Sequence, residues 1–456
     1  MFTVMPATHS HNNAPQNTPQ PIDLLINARW IIPVVPENRF YENCTLAINK
    51  GVIIAIVPTA EAKKRFIATQ NIDCNDHALM PGLINAHGHA AMSLLRGFAD
   101  DYPLDTWLTQ HIWPTEKRWV NSEMVRDGAE LAIAEMLLSG TTCFSDMYFF
   151  PEETAKAAAE AGIRCQLSFP IFDFPSAWGD GPDDYINKGM QLHDNYRNSS
   201  LINVAFGPHA PYTVSMQVLE RVATLANETG LGIHIHLHET AKEIEDSLAA
   251  HGQRPLALLN DIGIIGPMTQ CVHMTHINDS DIEILARSHS HIIHCPESNL
   301  KLASGFCPIG QLSQANINIA LGTDGATSNN SLNLFSEIRT AALVGKAVAN
   351  NPAQIPAAQA LAMATINGAR ALGRDTEIGS LEIGKLADVI AIDLSDLAQQ
   401  PIYNPISQLV YTHVGHRVSH VWIGGRAIVA QRQLLTLSRD AIFHKATQWH
   451  KKISAQ

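Results

Sequence analysis

Eight short apolar runs alternate with amphipathic stretches through the middle of this chain, and that alternation leaves few folds open. The runs are 82–86, 141–146, 164–169, 203–207, 232–237, 270–274, 291–295 and 317–322. Helix-like segments follow most of them. Residues 122–138 open on Ser122 and repeat apolar positions three and four apart, as a packed helix does. The stretches 153–161, 215–229, 279–288 and 331–349 behave alike. Eight strands that each lead into a helix predict a parallel (β/α)8 TIM-type barrel. A doubly wound open sheet is the alternative, but no Gly-x-Gly-x-x-Gly follows the first run.

The chain ends follow another rhythm. Residues 23–35, 44–57 and 71–80 are strand-like runs broken by Asn, Gly and Pro, and similar runs return at 387–394, 408–413 and 418–430. They predict a small β-sandwich domain built from both ends, 21–80 and 374–437, around a barrel over 81–373. A central domain can be inserted in this way where its termini lie close together. A loose tail over 1–20 and a C-terminal helix over 438–456 complete the expected organisation.

The 456 residues are more than one ordinary core needs, and 46% apolar against 16% charged residues suits a large enzyme with much buried surface. A net charge of −12 without a basic block argues against nucleic acid and anionic membranes as partners. Seven cysteines, an odd number without a Cys-x-x-Cys pair, predict reduced, buried thiols in a cytoplasmic protein. Residues 1–20 have neither the positive start nor the apolar core of a secretory leader. No run of about 18 apolar residues predicts a membrane span.

Candidate chemistry gathers where the apolar runs end. His87 and His89 follow the first run in Asn85-Ala86-His87-Gly88-His89, two imidazoles on one side of a strand end. Such a pair alone is more often hydrogen-bonded or solvated than ligating. His234, His236 and His238 follow one another at the two-residue period of a strand, so parity does not say which of them faces a site. Asp324 closes the last run in Gly-Thr-Asp-Gly, where a lone Asp is usually a turn residue. Their coincidence at strand C-termini favours a catalytic centre: imidazoles with one carboxylate suit a borderline divalent cation and a bound water.

With these positions in hand, the chain resembles the amidohydrolase superfamily, and within it the 5′-methylthioadenosine/S-adenosylhomocysteine deaminases. The segments that carry the likeness are 85–108, FSDMYF (144–149), FGPHAPY (206–212), HLHET (236–240), PESNLKLASG (296–305) and LGTDGATSNNSLNLF (321–335). The resemblance implies that His87, His89, His236 and Asp324 hold one divalent metal ion per chain, zinc first, with Fe2+ or Mn2+ as alternatives. It implies that Asp324 takes a proton from the attacking water, that Glu239 shuttles a proton to the ring, and that His273 polarises the water or the developing oxygen. It also implies that Glu116 binds the ribose hydroxyls, Trp107 flanks the nucleoside and His209 bonds the purine, with Ser328 and Asn299 at the mouth. A binuclear centre with a bridging Lys is disfavoured, because 198–214 contains no Lys.

One departure bears on substrate. Family members that take S-adenosylhomocysteine carry arginines after the third strand, whereas residues 165–190 here contain none. That segment offers Phe169, Phe172, Phe174 and Trp178, with Asp173, Asp180, Asp183 and Asp184 among them. The expected reaction is hydrolytic deamination of 5′-methylthioadenosine to 5′-methylthioinosine and ammonia, with S-adenosylhomocysteine or adenosine poorer substrates. An aminohydrolase for a free purine, pyrimidine or triazine base is the runner-up, and a non-catalytic relic barrel is a distant third. The expected partners are a small nucleoside and, in a homo-oligomer, further copies of the chain.

Overall fold

The computed structural model describes residues 18–455. Of the tail expected over 1–20, residues 1–17 lie outside the described residues, and strand β1 (Gln20–Ile31) already includes Gln20. It is followed by β2 (Tyr41–Asn49), β3 (Val52–Pro58) and β4 (Phe66–Pro81). The run expected over 44–57 is thus a hairpin. Lys50 and Gly51 make its turn with φ of 50° and 77°, the paired left-handed geometry that matches strand twist. Gly51 is required twice over, since a Cβ there would lie 2.6 Å from the Gly424 carbonyl oxygen.

The central region forms the expected barrel. Its strands are β5 (Leu83–Asn85), β6 (Thr141–Asp146), β7 (Arg164–Ile171), β8 (Ile202–Pro208), β9 (Ile233–Leu237), β10 (Thr269–His273), β11 (His291–His294) and β12 (Asn318–Leu321). They pair in sequence order, and every neighbouring pair is parallel. The first and last strands meet where Ala86 N–H donates to the Leu321 carbonyl at 2.9 Å. Asn85 tightens the seam, donating to Thr323 Oγ1 at 2.8 Å and accepting from Thr323 N–H at 2.9 Å.

After the barrel come β13 (Val389–Asp393), β14 (Val418–Ile423), β15 (Arg426–Ala430) and β16 (Gln433–Leu434). With β1–β4 they build one mixed sheet in the order β16-β15-β14-β13-β4-β1-β2-β3. The two ends of the chain therefore share a sheet, joined where β13 runs antiparallel to β4. A buried ion pair, Arg164 Nε to Asp388 Oδ2 at 2.6 Å, ties the barrel to it. One strand expectation is corrected. Residues 408–413 are not a strand: they belong mostly to the helix Pro405–Tyr411, whose first turn is set by Pro405 and by Asn404 Oδ1 accepting from Ile406 and Ser407 N–H. A six-residue apolar run has no periodicity with which to tell the two states apart, and the cap just upstream decides it. The chain closes with the helix Arg439–Ser454.

Candidate metal centre and nucleoside pocket

The barrel strands deliver their last residues to one end, and a cavity of about 660 Å3 opens there. His87, His89, His236 and Asp324 meet at its floor. His87 Nε2 lies 3.3 Å from Asp324 Oδ1 and 3.3 Å from His236 Nε2, and His89 Nε2 lies 3.2 Å from Asp324 Oδ1. Gly322 makes this approach possible, since a Cβ there would sit 2.8 Å from the His87 Cβ.

The donor set can be tested for a metal from its hydrogen bonds. His89 Nδ1 lies 2.7 Å from the Met147 carbonyl and His236 Nδ1 2.8 Å from the His209 carbonyl. A carbonyl only accepts, so each Nδ1 carries a proton and each Nε2 is the ring atom turned toward the centre. Burial and the neighbouring imidazoles hold His236 well below its ordinary pKa, keeping it neutral. Imidazole lone pairs and a carboxylate face one another at contact distance, an arrangement that a cation stabilises. Among the described residues two ligand-capable groups are present, His87–His89–Asp324 and His87–His236–His273, each with its ligand atoms within 4.8 Å. Asp324 Oδ2 is occupied by Ser298 Oγ at 2.7 Å and Ser328 Oγ at 3.0 Å, leaving Oδ1 toward the histidines.

The structure separates the three histidines of β9 and the turn beyond it. His236 lines the cavity. His234 is fully buried below it, with Nε2 2.8 Å from His87 Nδ1. His238 turns away at a φ of 53°, and its Nε2 accepts from Leu256 N–H at 3.1 Å. That turn brings Glu239 to the cavity wall. Its backbone is fixed by Glu243, whose carboxylate accepts from the N–H groups of His238 and Glu239 at 2.8 and 2.9 Å. Burial raises the pKa of Glu239, which favours its neutral, proton-carrying form.

His273 joins the wall by breaking strand alternation. Cys271 on its own strand and Leu237 beside it pack against the helices, and the same parity would turn His273 outward. A φ of 77° redirects the ring, bringing His273 Nε2 within 3.9 Å of Glu239 Oε2, with Nδ1 2.9 Å from Asn299 Oδ1.

The outer wall comes from a helical stretch over 104–119 whose middle turn, Trp107–Ile112, is widened to a π-helix. It carries Trp107 and Glu116 to the cavity. Glu116 accepts from the Tyr148 hydroxyl at 2.6 Å, and burial lifts its pKa to about 7 against that bond. His209, opposite, packs on Phe172 with ring centroids 4.9 Å apart, and burial lowers its pKa to about 3. Ser328 also lines the cavity. Tyr148, Ser298 and Ser304 are not singled out as site residues by the sequence reading, although all three lie within the segments FSDMYF and PESNLKLASG, the available signal.

The aromatic, acidic segment divides. Phe172 and Phe174 line the cavity, whereas Phe169 packs inside on Phe206 and Trp178 stacks on Tyr185. The acids face elsewhere: Asp173 accepts from Ser215 N–H, Asp183 pairs with Arg221 and Asp184 with Lys188. Among the residues lining the cavity, the single Lys or Arg is Lys117, which is exposed. None of Asp173, Asp180, Asp183 and Asp184 lines the cavity, and the wall that this segment contributes is mainly apolar.

Comparison with known proteins agrees with this architecture. The amidohydrolase family model matches residues 78–428. The proteins named 5-methylthioadenosine/S-adenosylhomocysteine deaminase of Teredinibacter turnerae and Saccharophagus degradans are 57% and 58% identical to the chain. Those matches cover 95% and 96% of this chain and 98% of each relative. The crystal structure of a zinc-bound adenosine deaminase from Xanthomonas campestris superposes with a TM-score of 0.95 at 47% identity, covering 96% of this chain and all of that one. The chain belongs to the amidohydrolase family and, within it, to the 5-methylthioadenosine/S-adenosylhomocysteine deaminases.

Proposed function

We propose that this chain is a zinc-dependent adenine-nucleoside deaminase that converts 5′-methylthioadenosine and water to 5′-methylthioinosine and ammonia. The observation that carries the reading is the meeting of His87, His89, His236 and Asp324 at 3.2–3.3 Å beneath a cavity whose wall holds Glu239 and His273. His87, His89, His236 and Asp324 are the residues that would hold the ion. A divalent cation held there would supply hydroxide at neutral pH by bringing the pKa of bound water down to near 7.

The protein groups then divide the proton transfers. Asp324 takes the proton of the attacking water. Glu239, whose neutral form burial favours, protonates N1 of the purine as the water oxygen adds to C6. His273 steadies the oxygen developing at C6. Asp324 returns its proton to the amine, which leaves as ammonia, while the C6 hydroxyl proton restores Glu239. Glu116 accepts from the ribose diol, with Tyr148 holding it in place. His209 and Trp107 frame the purine, and Phe172 and Phe174 receive the methylthio group. Seven free, buried cysteines support a reducing, cytoplasmic setting.

The test is ammonia release from 5′-methylthioadenosine, adenosine, S-adenosylhomocysteine and free adenine. The nucleosides should be turned over, 5′-methylthioadenosine best. Efficient turnover of free adenine with none of the nucleosides would overturn the reading, because Glu116 would then have no diol to hold.

A further inference from the structure

The candidate metal ligands are not all oriented in the same way. His89 and His236 are each held by a backbone carbonyl, that of Met147 and of His209. His87 instead rests on a chain of side chains inside the barrel. His87 Nδ1 lies 2.8 Å from His234 Nε2, and His234 Nδ1 lies 2.5 Å from Gln270 Oε1. Gln270 Nε2 donates to the Ala371 carbonyl at 2.8 Å, and Gln270 Oε1 also accepts from Gln166 Nε2 at 2.8 Å. His87, His234, Gln270 and Gln166 are all buried, so water does not compete for these bonds.

The direction of every bond follows from one end. The Ala371 carbonyl can only accept, so the Gln270 amide must face it with nitrogen and turn oxygen toward His234. An amide oxygen cannot donate, so His234 Nδ1 carries a proton. A buried ring engaged only by His87 and Gln270 is favoured as neutral, which leaves His234 Nε2 an acceptor. His87 Nδ1 must then donate, and His87 Nε2 presents its lone pair to Asp324 and His236.

We infer that Gln270 is a positioning residue for the metal centre, setting the tautomer and aim of His87 through His234 from the interior of the barrel. The inference rests on the metal-centre reading above and goes beyond it, because neither Gln270 nor His234 touches the cavity. Partners that orient a ligating imidazole typically change metal affinity by about 10–100-fold when lost.

The experiment measures zinc affinity by chelator competition on the full-length protein, for wild type, Gln270→Leu and Gln270→Glu. Melting of each metal-free protein and the visible spectrum of each cobalt-substituted form accompany it. Gln270→Leu removes the acceptor, so zinc binding should weaken by about 10–100-fold with an altered cobalt spectrum. Gln270→Glu, neutral when buried, can still accept from His234 and donate to Ala371, and should restore affinity to within a few-fold of wild type. A residue that only packs would shift the metal-free melting temperature and leave zinc affinity alone; that result in Gln270→Leu overturns the proposal. Should the leucine variant fail to fold, the wild-type protein decides. Nitrogen-15 spectra of its metal-free histidines should show His87 protonated at Nδ1, and protonation at Nε2 overturns the proposal. Wild type that binds no zinc would overturn the metal centre itself, a failure distinct from equal affinities in wild type and Gln270→Leu.

Discussion

His273 Nε2 stands 3.9 Å from Glu239 Oε2, although strand parity directs His273 away from the barrel axis. A left-handed backbone at His273 closes that distance, and another at His238 delivers Glu239 from the end of the neighbouring strand β9. Non-glycine residues hold such conformations at a cost of about 1–3 kcal/mol each, so the surrounding contacts must enforce them. The two proton-transfer candidates thus meet through strained strand ends rather than through regular strand geometry.

Glu239 is assigned to proton transfer and not to the metal. Glu239→Gln should retain zinc and nucleoside binding while turnover falls by about two or more orders of magnitude. Elemental analysis beside steady-state kinetics checks this. Loss of zinc from the variant, with activity restored by excess zinc, would make Glu239 a ligand.

His236 and His238 should separate cleanly although they sit two residues apart. His236→Ala should lose zinc and activity. His238→Ala should keep its zinc and lose about 1–3 kcal/mol of stability, because the buried Leu256 N–H loses its acceptor. Denaturant unfolding and metal content of the two variants give the answer; zinc loss confined to the His238 variant would reverse the assignment.

Glu116 predicts a pH dependence. Burial raises its carboxyl pKa to about 7, while a ribose diol needs the ionised form as acceptor. Nucleoside affinity should therefore fall as pH drops through about 7, and Glu116→Gln should bind weakly with that dependence removed. The same shift has a second sign: the free folded protein binds the Glu116 proton more tightly than the unfolded chain does. Its contribution to stability is present below the ordinary carboxylate range and is lost as pH rises through about 7. A pH series of KM and of unfolding midpoints, in wild type and Glu116→Gln, tests both; a flat wild-type KM between pH 5.5 and about 8 would contradict the placement.

The cavity wall predicts substrate preference. Phe172 and Phe174 suit an apolar methylthio group, and Lys117 is the one Lys or Arg among the described residues lining the cavity. The ratio of kcat/KM for 5′-methylthioadenosine over S-adenosylhomocysteine should be at least about tenfold, equivalent to about 1.4 kcal/mol. Equal efficiencies, abolished for S-adenosylhomocysteine alone by Lys117→Met, would show that Lys117 receives the carboxylate.

The barrel was legible because each strand is apolar, short and followed by a helical period, signals that survive without tertiary context. The candidate ligands were legible because they end those strands. The rest depended on what no period records. Parity left His234, His236 and His238 equivalent, and only the Leu256 N–H and the His87 ring, distant in sequence, tell them apart. His273 violates parity, so only the resemblance pointed to it. Trp178 and the acids around it lie next to cavity residues in sequence but bond outward, to Glu152, Arg221 and Lys188. Residues 408–413 were read by composition, while Asn404 and Pro405 had already set a helix.

The central claim is that a metal at His87, His89, His236 and Asp324 drives deamination. The direct measurement is ammonia release from 5′-methylthioadenosine before and after removal of metal, with zinc content and circular dichroism recorded on the same samples. About one zinc per chain is expected. Chelation should abolish turnover without unfolding the barrel, and stoichiometric zinc should restore it. Undiminished deamination by folded, metal-free protein would contradict the account.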